Sequence, residues 1–295
     1  MANKRVIIKR RKSVRNIRKI TRTMQLIATA RFQAALNRAL ATKPYTEKLA
    51  HLVEDISAGA GSVEHPLMTA REGARRSVLL TITSNRGLCG GYNAHVLRTA
   101  IEHLDRLRDA GTPSETLMVG KKGNNYFKFL RREVAQAITD IGDKPRFEQI
   151  EPIANRLMQR FERGEIASAH VAYMKYFSAG KQSPVVMQLL PLTQDAPASK
   201  EEKTAQGGRR IEFEFSPDPQ ALLNELLPAT VRIRLFQCFT DAAVCEQIAR
   251  MVAMKAATDA AGEMIKLLTR QYNRARQTQI TMELLDIVGG ANALA

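Results

Sequence analysis

The stretch from Pro217 to about Val288 limits this chain's possible folds more than any other. Over roughly seventy residues its only helix breakers are Pro228, near the start, and Gly262. Ala, Leu, Met, Glu, Gln, Lys and Arg, whose side chains lose little freedom in a helix, fill most of the rest. Ser216, Pro217 and Pro219 supply a start signal and Gly289-Gly290 a stop. At 1.5 Å per residue an unbroken helix of this length spans about 100 Å. That exceeds the width of a 295-residue globule. The sequence therefore predicts a helix that projects from any compact body and needs a partner for its apolar side.

The other end of the chain offers that partner. Between Met1 and Ala58 there is no Gly, and Pro44 is the only Pro. Ile17, Ile20, Met24 and Ile27 recur at spacings of three, four and three, a seam of coiled-coil type. Arg15, Arg18, Lys19 and Arg22 lie around it as a solvated face. Pro44 predicts a kink, Gly59 and Gly61 an end, and His65-Pro66 the start of a loop.

Residues 77–192 have a different character. Ser77–Thr83 (SVLLTIT) reads as a buried strand, SNRGLCGGYN as a turn, and an amphipathic helix follows to about Asp109. Thr116–Gly120 reads as a strand, Lys121 onward and Arg146–Arg163 as helices, and His170–Phe177 and Val185–Leu192 as strands. The polar stretch 193–210 reads as a mobile loop, and Ile211–Phe215 as an edge-like strand leading into the long helix. Strands alternating with helices predict an α/β body with a small, mostly parallel sheet. The predicted architecture is a long antiparallel coiled coil of N- and C-terminal helices, residues 1–60 and 216–288, plus a small Rossmann-like body over 75–215. Such an arrangement suits a mechanical part or scaffold better than an enzyme.

Composition narrows the function classes. No run of eighteen apolar residues exists, so no membrane span is expected. The formal net charge is +16, and residues 1–46 hold thirteen Lys or Arg with no Asp or Glu. This predicts an acidic partner, with nucleic acid as the first candidate. The acid-free N-terminus also has the composition of a transit peptide, though with few serines. Cys89, Cys238 and Cys245 form no CxxC pair or metal spacing and read as small buried hydrophobes. The five histidines, His51, His65, His95, His103 and His170, sit in separate elements without metal spacing.

Gly87, Gly90 and Gly91 lie between a strand and a helix, where phosphate loops occur. Their G-x-x-G-G pattern is neither G-x-G-x-x-G nor a loop followed by Gly-Lys-Ser/Thr. They read as a tight turn needing positive φ. No active site, metal or cofactor is predicted.

Three stretches toward the ends and two in the middle carry a specific resemblance. KSVRNIRKITRTMQLIATARF (Lys12–Phe32) closely resembles the N-terminal helix of the gamma subunit of F-type ATP synthases. TSNRGLCGGYN (Thr83–Asn93) resembles that family's central loop, usually T-S-D-R-G-L-C-G-G. ARMVAMKAATDAAGEMI (Ala249–Ile265) and YNRARQTQITMELLDIVGGANAL (Tyr272–Leu294) resemble its C-terminal helix. With VGKKG (Val119–Gly123), the match runs the length of the chain in the right order.

The resemblance implies the central rotor of a proton-translocating ATP synthase, not itself catalytic. Its partners would be three alpha and three beta subunits, the epsilon subunit and the c ring. It would act at the cytoplasmic face of a bacterial inner membrane, held there only through partners, with no nucleic acid and no cofactor. Carried over by position, Met24 faces the beta lever, and Arg276 and Gln277 form a polar latch to a beta-subunit loop. Thr281 and Glu283 lie in the same contact zone, Phe215 at the foot against the c ring and epsilon, and Leu285 and Val288 at the axle tip. The sequence departs from the pattern at Asn85, where Asp is usual, at Ile17-Arg18, where Thr-Gln is common, and at Ser216, where an acid is usual. Two other readings stay open: a basic coiled coil that binds nucleic acid, and a nucleotide-dependent α/β enzyme.

Overall fold

The computed structural model describes residues 4–59, 65–69, 74–192 and 219–294. Ten elements follow one another: α1 (Lys4–Gly59), β1 (Ser77–Ile82), α2 (Tyr92–Asp109), β2 (Ser114–Val119), α3 (Lys121–Phe129), β3 (Gln136–Ile138), α4 (Phe147–Glu162), β4 (Ser168–Ser178), β5 (Lys181–Leu190) and α5 (Pro219–Leu294). The chain forms two compact units, one of Met1–Arg31 with Ala249–Ala295 and one of Phe32–Ile248. Both long helices contribute to both units.

The larger unit is built on a five-stranded sheet in the order β3-β2-β1-β4-β5. β1 pairs parallel with β2 and β4, β2 pairs parallel with β3, and β4 and β5 form an antiparallel hairpin. Every residue of β1 is buried, because it is the central strand with helices on both faces, as its unbroken apolar run foretells. Val78, Leu80 and Ile82 point to one face, where Ile150, Leu157 and Phe161 of α4 and Leu227, Val231 and Leu235 of α5 pack. Leu79 points to the other, against Leu97, Ala100 and Leu104 of α2 and Phe127 of α3. Arg160 of α4 forks onto Glu115 of β2 at 3.1 and 2.6 Å, and these hydrogen bonds hold the Glu115 carboxyl below the usual range. Arg232 of α5 donates to Asn155 of α4 at 2.7 Å.

Several expectations need correction. The edge strand β3, only three residues long, has too little pattern to be found in the sequence. β5 begins at Lys181, four residues before the expected start, because pairing with β4 carries it through Pro184, opposite Met174. Gly289-Gly290 does not stop α5, which continues to Leu294; glycine lowers helix propensity without forbidding it. Among the three loop glycines only Gly90 has a positive φ, and Leu88 takes the other left-handed position. The expected strand 211–215 and loop 193–210 lie outside the described residues.

Candidate interaction surfaces

In the smaller unit the two helices run antiparallel. Thr21 meets Thr258, Arg18 lies against Gly262, Arg11 against Tyr272, and Lys4 against the same ring. Numbers rise on one helix as they fall on the other. The buried and half-buried positions of this part of α5 include Met254, Thr258, Ala261, Ile265, Leu268, Tyr272 and Ala275, alternating by four and three. On α1 they include Ile7, Val14, Thr21 and Ala28, each seven apart. Both are heptad seams.

This seam is not the one the sequence suggested. Ile17, Ile20 and Ile27 are about half exposed, whereas Thr21 and Ala28 are buried. The physical reason is closeness. Small side chains at Thr21, Ala28 and Ala261 let the helices approach, and Gly262 leaves room for the Arg18 guanidinium, 3.8 Å from where a Cβ would stand. The Thr21 and Thr258 hydroxyls hydrogen-bond across the seam at 2.8 Å, with Met254 O and Arg18 O completing the set. Arg11 sits 4.9 Å from the Tyr272 ring centroid, a cation–π contact.

Many large hydrophobes go to the outside, although Ile7, Met254 and Leu268 are buried in the seam. Ile17, Ile20, Leu26 and Ile27 on α1, and Val252, Met264, Leu267 and Ile280 on α5, are all exposed. From Arg276 to Gly289 every residue of α5 is exposed, including Leu284, Leu285, Ile287 and Val288.

The residues singled out in the sequence fall as follows. Arg276, Gln277, Thr281 and Glu283 all lie on this exposed length. Thr281 donates to the Gln277 carbonyl at 3.0 Å, and Glu283 accepts from Gln279 at 2.8 Å. Leu285 and Val288 are 57% and 47% exposed. Met24 is half-buried on α1. The seam register puts it about twenty residues, or about 30 Å, from Arg276 along α5, so the structure does not bring these two together. Phe215 and Ser216 lie outside the described residues.

The loop after β1 is a self-contained clasp. Ser84 N–H donates to Asn93 Oδ1 at 3.0 Å, Ser84 Oγ to the Arg86 carbonyl at 2.7 Å, and Asn93 Nδ2 to Cys89 Sγ at 3.3 Å. Asn85 donates to the carbonyls of Ile141 at 2.8 Å and Thr139 at 3.3 Å, and accepts from Lys121 N–H at 3.0 Å.

The first turn of α3, after β2, is a second helix N-terminus of the kind that can hold an anion. Its four N–H donors are already taken by the chain itself. Lys121 N–H goes to Asn85 Oδ1, Lys122 N–H to Ser84 O, Gly123 N–H to Thr83 Oγ1 and Asn124 N–H to Gly120 O.

On the α2 face, two histidines that the sequence places in separate elements come together. The His103 and His170 rings lie 4.6 Å apart, with His170 Nδ1 3.3 Å from Ser77 Oγ, which accepts from Ser168 at 2.9 Å. His103 Nε2 is buried with no hydrogen-bond partner among the described residues. Burial, then the neighbouring imidazole, pushes His170 down to about 4. His103 is lowered by burial and then by Arg106. Burial pushes the Cys238 thiol up to about 12 and raises Cys245 as well, so both are inert thiols at neutral pH.

Among the described residues no helix is long and apolar enough to cross a membrane. The ATP synthase family model matches residues 3–294. An ATP synthase gamma chain of Rhodopirellula baltica is 44% identical over 294 residues, covering 100% of this chain and 99% of the relative. One from Leptospira biflexa is 40% identical over 295 residues, with both chains covered completely, and one from Frankia casuarinae is 38% identical over 291 residues, covering 97% and 96%. Among solved structures, a chain of the Euglena gracilis mitochondrial ATP synthase (OSCP/F1/c-ring) superposes with a TM-score of 0.66 at 21% identity, covering 99% of this chain and 94% of that one. A chain of the Tetrahymena thermophila mitochondrial central stalk and c ring gives 0.57 at 19%, covering 81% and 99%. With a family match over nearly its whole length and relatives of this identity, the chain belongs to the ATP synthase gamma-chain family.

Proposed function

We propose that the chain is the non-catalytic central shaft of a proton-driven ATP synthase, coupling rotation of a c ring to conformational change at three beta-subunit sites. One observation carries this reading: outside a narrow seam the helix pair leaves Ile17, Ile20, Leu26 and Ile27 of α1 and Val252, Met264, Leu267 and Ile280 of α5 exposed. A helix pair exposing that much apolar surface in water would aggregate, so it fits inside a sheath. Non-directional apolar contact also suits a surface that slides past three neighbours, because no single bond must break at each step. The working parts are a coiled-coil helix over residues 1–60, a body over 75–215 and a second helix over 216–288.

In this reading Arg276 and Gln277, with Thr281 and Glu283 beside them, form a polar latch to a beta-subunit loop. Arg supplies a planar fork for a carboxylate, and Gln both donates and accepts. Met24 rides against the beta lever, Phe215 joins the foot at the c ring and epsilon, and Leu285 and Val288 form the tip of the axle. The complex holds the chain at the cytoplasmic face of a bacterial inner membrane. The occupied donors at the start of α3 leave no free backbone anion site at that helix end.

The test is Arg276→Ala in the assembled complex. Losing a charge-assisted hydrogen bond costs about 1.5–3 kcal/mol, so ATP turnover is expected to fall roughly ten-fold or more while the chain's own unfolding is unchanged. Equal turnover by mutant and parent complexes refutes the latch. For the tip, Leu285→Cys is expected to resist a bulky water-soluble maleimide in the complex; free labelling refutes an enclosed axle.

A further inference from the structure

α3 presents an apolar face that no described residue covers. Tyr126, Phe129 and Leu130 stand at i, i+3 and i+4, so they share one side of the helix. They are 42%, 80% and 38% exposed. A phenylalanine four-fifths exposed is unusual on a helix whose other phenylalanine, Phe127, is fully buried.

The exposure does not come from a loosely held helix. Asn85 and Thr83 accept from the N–H groups of Lys121 and Gly123 at 3.0 Å each. Gly123 packs so closely on Thr83 and Met118 that a Cβ could not be accommodated. Beyond the last turn, Arg132 is pinned to Asp105 at 2.9 Å. The helix is fixed at both ends and Phe129 is held out as a rigid knob.

Charge surrounds this knob. Lys128 and Arg131, which flank Phe129 in sequence, are exposed, and neither forms an ion pair among the described residues. The nearest carboxylates in sequence are Glu133, which is exposed, and across the surface Asp105, which Arg132 and Arg108 already share.

We propose that this face of α3 docks a protein subunit of the same assembly through an apolar pocket rimmed by Asp or Glu carboxylates, with Phe129 as the inserted anchor. A pre-organised aromatic flanked by cations has the make-up of a protein–protein hot spot. The unpaired cations select an acidic rim. A bilayer surface is the poorer fit, since interfacial helices lie down along a long apolar stripe, whereas this nine-residue helix is tied to the sheet and offers three apolar side chains.

The proposal takes its partner from the rotary assembly but does not depend on the latch or the axle tip. The native cysteines are buried, so Phe129→Cys supplies a single reactive thiol. In the assembled complex, released from membrane, its maleimide labelling is expected to be at least ten-fold slower than that of Asp109→Cys, an exposed position on α2. Phe129→Glu, and independently Lys128→Glu with Arg131→Glu, are expected to weaken retention of one subunit by ten-fold or more without changing the chain's own melting. Equal labelling rates in a complex that still turns over ATP overturn this proposal and leave the rotor reading intact. Flotation of the chain on phosphatidylglycerol vesicles that Phe129→Glu abolishes, with no protection in the released complex, overturns it in favour of a lipid surface.

Discussion

Asn85 permits a sharp test, because the family loop usually carries Asp at this position. Here its amide nitrogen donates to two carbonyls, Ile141 O at 2.8 Å and Thr139 O at 3.3 Å, while its oxygen accepts from Lys121 N–H. The one side chain ties the end of β1 to the start of α3 and to the segment after β3. Asn85→Asp keeps the acceptor and deletes both donors. A neutral hydrogen bond contributes about 0.5–1.5 kcal/mol, so the two losses amount to about 2 kcal/mol, with a carboxylate oxygen now facing two carbonyls. Against this, the retained bond becomes charge-assisted at a helix N-terminus, which returns about 0.3–1 kcal/mol. The balance is a net loss of about 1–2 kcal/mol at neutral pH. For a chain of this size that corresponds to a melting shift of about 2–6 °C. The deficit shrinks on acidification, because a protonated carboxyl regains one donor toward Ile141 O. Thermal unfolding of parent and variant chains at pH 7 and pH 4 reads both effects. A variant as stable as the parent at pH 7, or one that loses ground on acidification relative to it, refutes the clasp as described.

Three further outcomes follow from the geometry. His170, held down to about 4, and His103, also lowered, bind protons less readily folded than unfolded, where the usual value is about 6.5. Stability is therefore full above about pH 6.5 and falls as pH drops toward 4, by about 2 kcal/mol once partial exposure is discounted; His170→Gln should flatten that slope in pH-dependent denaturation, and an unchanged slope refutes the assignment. Gly123→Ala drives a methyl into Thr83 and Met118 and should cost about 1–3 kcal/mol, read as a lower urea midpoint, whereas Gly164→Ala, open but at positive φ, should cost less. Thr258→Val should lose about 1 kcal/mol by breaking the hydroxyl pair with Thr21, and adding Thr21→Val should recover most of it; strictly additive losses in the double-mutant cycle would mean the two hydroxyls are uncoupled.

The sequence by itself determined the elements that are long or strongly patterned. The unbroken apolar run Ser77–Ile82 could only be a strand buried on both faces. The continuous helix formers after Pro219 outlasted Pro228, Gly262 and Gly289-Gly290, because each breaker costs a few kcal/mol at most against a helix of 76 residues. The gamma-chain resemblance was carried by residues at both ends and by the central loop, and the family match agrees with it.

What the sequence could not decide was which side of each helix faces its neighbour. Counting large hydrophobes selected Ile17, Ile20 and Ile27 as the seam, but the structure buries Thr21 and Ala28 instead. Hydrophobic pattern marks apolar surface without saying whether a residue of the same chain or of another will cover it. Where the two helices come closest, at Thr21, Ala28 and Ala261, small residues take the seam and several large ones are left exposed. The same limit hid the tilted His103–His170 ring contact, the double donation by Asn85 and the exposed Phe129. Each depends on residues far apart in the chain, brought together by the parallel order β3-β2-β1-β4. Only the pairing of strands, set by long-range hydrogen bonds that leave no local pattern, decides which side chains meet.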